Sequence, residues 1–385
     1  MKIGLVCPYD MTRGGAVQEI VRDFRVGLAE RGHDVKIITP LPRDMKDFDE
    51  EGIIFLGNGT DFRSPMHTTP TFSISVDTDQ IERILEEEQF DILHFHEPWV
   101  PVLSRQILSR SKAVNIGTFH AKVPETLMSR TVIKVVTPYT KTMLKDLHAL
   151  TAVSDAAAEY ASTLTDEPIT IIPNGIDLSR FVRSKTKMTK LKDEDAEKTI
   201  LYIGRLERRK GVKYLLQAYA ELVKTQQDVR LLLAGDGPDR EKLELMVQTL
   251  ELPNVTFLGF VSDELKMELL ATSDLFCAPA IYGESFGIVL LEAMASGLVT
   301  VAGDNSGYVA VMQEMGALSL VNPKETDEFA RRLGLLLSEE KLRSDWQAWA
   351  KKYVKQYDYA NILDRYDELY KYTLKHHSHH IKPHE

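Results

Sequence analysis

The fold class is decided by residues 3–40, which read IGLVCPYDMTRGGAVQEIVRDFRVGLAERGHDVKIITP. They open with a short, almost unbroken apolar run, which is typical of a parallel strand buried on both faces. After a glycine-containing loop, apolar residues recur at spacings of three and four and predict a helix that ends at Gly32. These residues are Val17, Ile20, Val21, Phe24 and Leu28. A second apolar run at 35–38 completes a βαβ unit and predicts a parallel sheet.

The same alternation continues in two series. Apolar runs lie at 53–56, 92–95, 114–119, 149–153 and 170–172, and the pattern restarts at 200–203, 229–234, 255–258, 275–278 and 299–301. A polar, charged stretch at 189–198 is the predicted connector. We therefore expect an α/β fold with two facing, doubly wound, Rossmann-like domains. The default active site is the cleft between them, because ligands of such sheets bind beyond the carboxyl ends of the strands.

The predicted boundaries are 1–175 for the first domain and 176–357 for the second. The last forty residues are helical in pattern and carry an aromatic-rich stripe from Tyr357 to Tyr370. We expect a helix over about 358–375 to pack back on the first domain. The tail at 376–385 holds five of the eleven histidines and is expected to be disordered.

The composition excludes several classes of protein. Among 385 residues, 43% are hydrophobic and 27% are charged, which is the usual mix of a globular protein. The net charge of −10 disfavours a general nucleic-acid binder. The two cysteines, Cys7 and Cys277, form neither a disulfide framework nor a zinc motif. No apolar run has the length of a signal peptide or a membrane span, so a cytoplasmic enzyme with at most peripheral membrane contact is expected.

Two loops combine glycines or cations with the start of a helix. Gly14 and Gly15 follow the first strand, where a phosphate could approach the backbone, although a tight turn explains them equally well. The full G-x-G-x-x-G fingerprint is absent, which disfavours a dinucleotide site. The loop at 204–211 carries four cations, Arg205, Arg208, Arg209 and Lys210. Cations at a helix start require an anion, and the alternatives are a bound diphosphate or a solvated charge run.

The segment 283–297, GESFGIVLLEAMASG, carries the most specific signal. Glu284 lies in a loop, and Glu292 lies within an otherwise apolar helix. Backbone N–H groups at such a helix start can bind phosphate, and a carboxylate deeper in the helix can accept two ribose hydroxyls. The alternative for Glu292 is a buried carboxylate paired within the protein, since an unpaired one would be costly.

Histidines close two predicted strands of the first half. His94, His96 and Glu97 lie in HFHEP, and His120 ends GTFH. Their spacing fits no reliable zinc pattern, so a metal site is disfavoured. A histidine at a strand end is often structural, but two in adjacent loops favour a polar substrate site.

Taken together, these loops resemble the family 4 retaining glycosyltransferases of the GT-B fold. The resemblance covers nearly the whole chain, and its most specific part is the E-x7-E motif from Glu284 to Glu292. Supporting parts are PNGID at 173–177 and the Arg205/Lys210 pair. The first half is similar to bacterial phosphatidyl-myo-inositol mannosyltransferases in its opening GLVCPY, its glycine pair, HFHEP and GTFH. That subgroup transfers mannose from GDP-mannose to an inositol lipid at the cytoplasmic membrane surface.

The resemblance implies roles residue by residue. Gly15, Arg205 and Lys210 contact the donor diphosphate, and Glu292 holds the ribose. Further donor contacts are implied for Glu284, Ser285, Phe286, Gly287 and Ile288, and acceptor contacts for Tyr9, Gln18 and His96. The catalytic roles fall on His120, Arg205, Lys210 and Glu284. No metal and no cofactor are expected, because the nucleotide sugar is a substrate and GT-B enzymes are implied not to need a bound divalent ion.

The acceptor and the nucleotide stay open. The segments 61–78 and 304–308 depart from the mannosyltransferase pattern, and base contacts cannot be located. The alternatives are a UDP-sugar-dependent transferase, a sugar-nucleotide epimerase and a non-catalytic sugar-nucleotide sensor. The segment 122–145 carries five cations against one carboxylate, interleaved with apolar residues. This pattern predicts either contact with an anionic lipid surface or an ordinary solvated helix and loop.

Overall fold

The computed structural model describes residues 1–12, 15–42, 51–61, 71–75, 77–100, 102–121, 137–181 and 197–377. Gly14, the connector at 189–196, residues 122–136 of the basic segment and the tail from 378 lie outside the described residues. The chain divides into two compact units. One comprises Met1–Asn174 with Ala360–Glu385, and the other comprises Gly175–Tyr359. Both are Rossmann-like α/β domains, as the two apolar series predict.

The first unit is built on an eight-stranded sheet of order β4-β3-β2-β1-β5-β6-β7-β8. Its strands are β1 Lys2–Val6, β2 Asp34–Leu41, β3 Ile53–Asp61, β4 Thr71–Ser75, β5 Ile92–His96, β6 Val114–Phe119, β7 Ala149–Ala152 and β8 Ile169–Ile171. Its helices include α1 Ala16–Glu30, α2 Thr78–Glu88, α3 Leu103–Leu108 and α4 Asp155–Ser162. Strand β1 pairs in parallel with both β2 and β5, so the strand order reverses there. Loops at this reversal are where α/β sheets bind ligands.

One edge of this sheet differs from the predicted all-parallel arrangement. Strand β4 pairs antiparallel with β3, and β3 extends to Asp61 beyond the predicted run at 53–56. The segment 71–75 alternates polar and apolar residues, which suits an edge strand better than a strand buried on both faces. The apolar-run criterion therefore missed it.

The second unit has a six-stranded, wholly parallel sheet of order β11-β10-β9-β12-β13-β14. Its strands are β9 Lys198–Ile203, β10 Val229–Ala234, β11 Val255–Gly259, β12 Leu275–Ala278, β13 Val299–Gly303 and β14 Leu320–Val321. Its α-helices are α5 Val212–Leu222, α6 Arg240–Thr249, α7 Asp263–Thr272, α8 Ile288–Ala295, α9 Ser306–Val311, α10 Thr326–Ser338 and α11 Glu340–Tyr353. The order reverses between β9 and β12, so the loops after these two strands are the expected ligand loops.

The last described helix, α12 Tyr359–His377, belongs to the first unit from Ala360 onward. It buries Ile362, Leu363, Tyr366 and Tyr370. His376 and His377 continue the helix, so these two residues of the segment expected to be disordered are helical. Tyr357, at the start of the predicted stripe, lies instead in a short 3-10 helix of the second unit, Val354–Tyr357.

None of the helices in the described ranges is both long and apolar enough to cross a lipid bilayer.

Candidate active site

The loop after β9 is shaped by backbone constraints. A short 3-10 helix, Arg208–Lys210, ends at Gly211, which has a φ of 71° and begins α5. A Cβ at this glycine would lie 1.9 Å from the carbonyl oxygen of Pro279, after β12. Only glycine satisfies both demands. The two ligand loops of the sheet are thereby held in direct contact.

The Glu284 carboxylate is the point at which cations of this loop converge. Its Oε1 lies 2.6 Å from Nη1 of Arg209 and 2.8 Å from Nζ of Lys210. Arg209 also donates to the carbonyl of Gly283 at 3.2 Å and reaches Oε1 of Glu207 through Nε at 2.7 Å. Glu207 is buried. The two carboxylates raise the pKa of Arg209 against the opposing effect of its burial.

The structure thus brings together Lys210 and Glu284. Arg205, the other cation expected there, is instead half-exposed. Arg205 is 48% exposed, and its Nε lies 3.8 Å from Oε2 of Glu207. Sequence reasoning missed Arg209 as the bridging residue. The cation run was visible, but only the 3-10 turn shows which of its arginines faces Glu284.

The residues after Glu284 form the start of α8. Phe286 is buried and its ring packs at 5.9 Å against Tyr357. Gly287 has a φ of 107°, and a Cβ there would lie 2.7 Å from the ring of Tyr308. The helix begins at Ile288, and in its first turn the N–H of Leu290 donates to the carbonyl of the preceding Gly287 at 3.0 Å. The N–H groups of Ile288 and Val289 come before the first i→i−4 bond that the helix can form. Together with the preceding Ser285, this is the geometry of an anion-binding helix start.

Glu292 lies on the same helix, and its partner comes from α7. Its Oε1 lies 2.8 Å from Nζ of Lys266, and both side chains are largely buried. The carboxylate is therefore compensated within the protein, as burial of a charge requires. Sequence reasoning did not find Lys266, because the two residues lie 26 positions apart on different helices.

In the first unit, the loop after β1 places three predicted residues near one another. The side chain of Gln18 lies over Gly15, where a Cβ would come within 2.4 Å of its Oε1. Gln18 also donates to the carbonyl of Asp10 at 3.4 Å. The carbonyl of Tyr9 accepts a hydrogen bond from Thr39 at 2.8 Å. Burial, followed by the nearby Glu97, raises the pKa of the Tyr9 hydroxyl.

The ends of β5 and β6 hold a compact histidine cluster. Nδ1 of His96 lies 2.9 Å from Nε2 of His120, and the two rings stack at 5.1 Å. His94 lies two residues before His96 on β5. Its ring is hydrogen-bonded to the hydroxyl of Tyr370 at 2.7 Å and to that of Thr118 at 2.6 Å. Burial lowers the pKa of His94 to about 3 and of His120 to about 4, and lowers that of His96 as well. The cluster is therefore neutral at pH 7.

Glu97 closes this cluster from the next position along the chain. It is buried with a φ of 53°, a left-handed conformation that is uncommon for a residue with a side chain. One carboxylate oxygen accepts the backbone N–H of His120 at 3.0 Å, and the other accepts the indole N–H of Trp99. Burial raises the pKa of Glu97 to about 7. Because His96 is fully buried, direct contact with an acceptor would require its ring to move.

The chain is similar over nearly its whole length to a phosphatidyl-myo-inositol mannosyltransferase from Mycolicibacterium smegmatis. The two are 31% identical over 380 residues, which cover 96% of this chain and 93% of the relative. Residues 14–180 match the model of Glycosyltransferase Family 4, and residues 184–353 match that of Glycosyl transferases group 1. The chain belongs to the family 4 glycosyltransferases.

Two further similarities concern the breadth of the family and the fold. The glycosyltransferase is 28% identical to the N-acetyl-alpha-D-glucosaminyl L-malate synthase of Bacillus anthracis, over 97% of this chain and 98% of the relative. Its structure resembles that of sucrose-phosphate synthase from Thermosynechococcus elongatus, with a TM-score of 0.77 and 20% identity over 97% of this chain and 99% of the other. The latter likeness confirms the expected GT-B fold.

Proposed function

We propose that this glycosyltransferase moves mannose from GDP-mannose to a phosphatidyl-myo-inositol lipid, with retention of the anomeric configuration. The transferase chemistry is supported by the convergence of Arg209 and Lys210 on Glu284 beside the start of α8. The choice of mannose and of an inositol lipid is supported by the 31% identity to the mycobacterial mannosyltransferase.

The cation pair suits a diphosphate leaving group. An ammonium carries three N–H donors, so Lys210 can retain Glu284 and also donate to a phosphate oxygen. The α8 N-terminus adds backbone N–H groups from Phe286 to Ile288, and the ribose hydroxyls are assigned to Glu292. In this proposal Arg205 contacts the diphosphate from its exposed position, Glu284 contacts the sugar, and Gly15 is assigned to the diphosphate as well. Donors fixed before the reaction stabilise charge that develops only in the transition state.

The proposed reaction proceeds on one face of the sugar. The bond from the anomeric carbon to the β-phosphate oxygen breaks, and both bonding electrons leave with the diphosphate. The acceptor hydroxyl oxygen forms the new bond to the anomeric carbon on the same face, and its proton passes to the departing phosphate oxygen. His120 contacts the sugar and acceptor, and Tyr9 and Gln18 contact the acceptor. No protein nucleophile takes part.

A donor-and-acceptor screen tests this function. The purified chain is incubated with GDP-mannose, UDP-glucose or UDP-N-acetylglucosamine and with vesicles containing phosphatidylinositol or diacylglycerol. We expect mannolipid only from GDP-mannose with phosphatidylinositol, and an α-linkage by proton NMR, since the donor is α-linked. Transfer from a UDP-sugar alone, or a β-linked product, contradicts the proposal. An altered sugar nucleotide without transfer indicates an epimerase, and binding of GDP-mannose without any turnover indicates a sensor.

The proposed chemistry does not require a divalent ion, because the protein's own cations carry the leaving-group charge. We expect the initial rate of mannosyl transfer to persist in EDTA within about twofold. Re-addition of Mg²⁺ or Mn²⁺ is the control. A rate that collapses in EDTA and returns with a metal contradicts this part of the proposal.

A lipid acceptor implies contact with a membrane surface, for which we propose the basic segment 122–145. Lys141 and Lys145 are the cations of this segment that lie among the described residues. Co-sedimentation with vesicles is the measurement. We expect binding to anionic vesicles that weakens with salt. Equal binding to neutral vesicles, or none to either, contradicts the surface.

A further inference from the structure

The start of α9 packs against the loop that carries Glu284. A Cβ added to Gly307 would lie 2.2 Å from the carbonyl oxygen of Glu284 and 2.5 Å from its carbonyl carbon. The next residue, Tyr308, is buried and lies with its ring against Gly287, where an added Cβ would come within 2.7 Å of it. Two consecutive residues of α9 therefore contact both ends of the segment from Glu284 to Gly287.

Gly307 is explained by this close approach and not by its backbone conformation. It lies in the first turn of α9, and its φ is outside the left-handed region that favours glycine. Glycine is also less favourable than alanine in a helix, because it loses more conformational entropy on folding. A methyl group at this position, however, would lie well inside the ordinary contact distance of 3.4 Å from the Glu284 backbone. The missing side chain is what lets the Glu284 peptide lie against the helix.

The first turn of α9 is itself anchored to the sheet. The side-chain oxygen of Asn305 accepts the backbone N–H of Tyr308 at 3.1 Å, and its amide donates to the carbonyl of Ala280, after β12, at 2.9 Å. The backbone N–H of Asp304 donates to the carbonyl of Val321 in β14 at 2.9 Å. Because the helix start is fixed in this way, we expect the Glu284 loop to yield first when the two are pushed apart.

We infer that Gly307 and Tyr308 are positioning residues, which set where the Glu284 peptide and the start of α8 lie against α9. A displaced peptide would move the Glu284 carboxylate away from the cations that converge on it. The consequence for catalysis rests on the proposed function, in which Glu284 contacts the sugar. The segment 304–308 departs from the mannosyltransferase pattern, so this role is not one that the resemblance implies.

Crystal structures of the wild type and of Gly307→Ala test the positioning without any substrate. We expect the Glu284 carbonyl to move away from α9 by about 1 Å, because the added Cβ needs that distance to reach ordinary contact. The separation of Lys210 and Glu284 should then exceed 2.8 Å. Gly334→Ala in α10 is the control, because a Cβ there would lie 3.3 Å from the side chain of Leu222 and requires only a small adjustment.

Turnover of the same variants tests the catalytic consequence, with the donor that the screen identifies. We expect Gly307→Ala to lower kcat about 30-fold, because a contact displaced by about 1 Å no longer aligns the reacting sugar. The donor KM and the Kd for its nucleoside diphosphate should stay within about threefold, since the proposed ribose contact of Glu292 is retained. Gly334→Ala should stay within about twofold of wild type on every measure.

A second set of variants keeps the test decisive if Gly307→Ala does not fold. Tyr308→Phe keeps the ring against Gly287 and Tyr308→Leu removes it, so we expect kcat within about threefold for the first and about tenfold lower for the second. Tyr219→Leu in α5 is the packing control, because Tyr219 is also buried and its hydroxyl donates to the carbonyl of Val229 at 2.8 Å. It should lower Tm, as Tyr308→Leu does, but leave kcat within about twofold.

The inference is overturned if the Glu284 carbonyl keeps its place in Gly307→Ala while α9 moves, or if Tyr308→Leu loses no more turnover than Tyr219→Leu. An equal loss in Tyr308→Phe would show that the ring does not position the loop. If the carbonyl moves as expected but turnover is unchanged, the proposed contact of Glu284 with the sugar fails while the positioning is supported. A wild type without transferase activity refutes the proposed function and leaves the structural comparison valid.

Discussion

At the scale of single residues, both carboxylates of the predicted site in the second unit are paired with cations of the protein. Glu284 is shared by Arg209 and Lys210, and Glu292 is paired with Lys266. Such pairing allows carboxylates to lie in a partly buried region before any substrate arrives. The proposed diphosphate and ribose contacts would therefore compete with, or add to, contacts that already exist.

Removal of Arg209 tests whether this bridge supports catalysis. Arg209→Ala leaves Glu207 and Glu284 without their shared guanidinium, so we expect kcat/KM for mannosyl transfer to fall by about 100-fold. The exposed neighbour Arg208 is the matched control, and Arg208→Ala should remain within about twofold of wild type. Equal effects of the two substitutions would show that only the net charge of the loop matters.

Glu292→Gln tests the ribose contact. The amide keeps the shape but loses the charge-assisted bonds, so we expect the Kd for GDP to rise about tenfold. The control is a GDP analogue that lacks the ribose hydroxyls: it should bind wild type and variant with equal affinity, because the contact is already absent. If the variant weakens both ligands alike, Glu292 acts through Lys266 and the fold of α8 rather than through the ribose.

At the scale of secondary-structure elements, α12 completes the interior of the first unit. The Tyr370 hydroxyl lies 2.7 Å from Nδ1 of His94. Arg31 and His33, in the turn between α1 and β2, contact Asp364 and Asp367 at 2.8 and 2.9 Å. The helix thus closes over the histidine cluster with both apolar and polar contacts. Its own stability depends on that packing.

Substitution of two tyrosines of α12, one buried and one exposed, tests how much its buried polar contact stabilises the first unit. Tyr370→Phe removes a buried hydrogen bond and leaves Nδ1 of His94 unpaired, so we expect the free energy of unfolding to fall by about 1–3 kcal/mol. Tyr372 lies on the same helix and is 64% exposed, and Tyr372→Phe should stay within about 0.5 kcal/mol of wild type. Urea unfolding of the full chain is the measurement. Equal losses in the free energy of unfolding for the two variants would show that the hydrogen bond of Tyr370 to His94 does not stabilise the fold.

Elements were easier to predict from the sequence than contacts between them. The strand β5 and the helix α8 follow directly from their apolar runs, because local periodicity reports burial. Strand β4 was not predicted, because an edge strand need not be apolar on both faces. The pairs Arg209–Glu284, Lys266–Glu292 and His96–His120 join residues far apart in the chain, and no local pattern encodes which members meet. The histidine motifs were visible, but the deep burial of His96 was not.

At the scale of the whole molecule, the buried histidines link folding stability to pH. The pKa values of His94, His96 and His120 lie below their ordinary value of 6.5. Their stabilisation is fully present above pH 6.5 and is lost as the pH falls towards the folded values, because the unfolded chain takes up the protons first. Glu97, whose pKa is raised to about 7, acts in the opposite sense. The three imidazoles outweigh this one carboxyl.

We therefore expect the free energy of unfolding to decrease between about pH 6.5 and pH 4.5, by about 1.4 kcal/mol per pH unit for each net proton. Urea unfolding curves across this range provide the measurement. His94→Phe removes one of the titrating groups and should make the dependence shallower. A free energy that is flat, or that rises as the pH falls, contradicts the burial of neutral imidazoles.

The return of α12 to the first unit also orders events on the ribosome. Residues 1–174 leave the exit tunnel early, yet the helix that covers their histidine cluster emerges only after the entire second unit. The second unit is continuous in sequence and can fold as soon as it emerges, whereas the nascent first unit must wait with an open interior. The part of the protein that is synthesised first is therefore completed last.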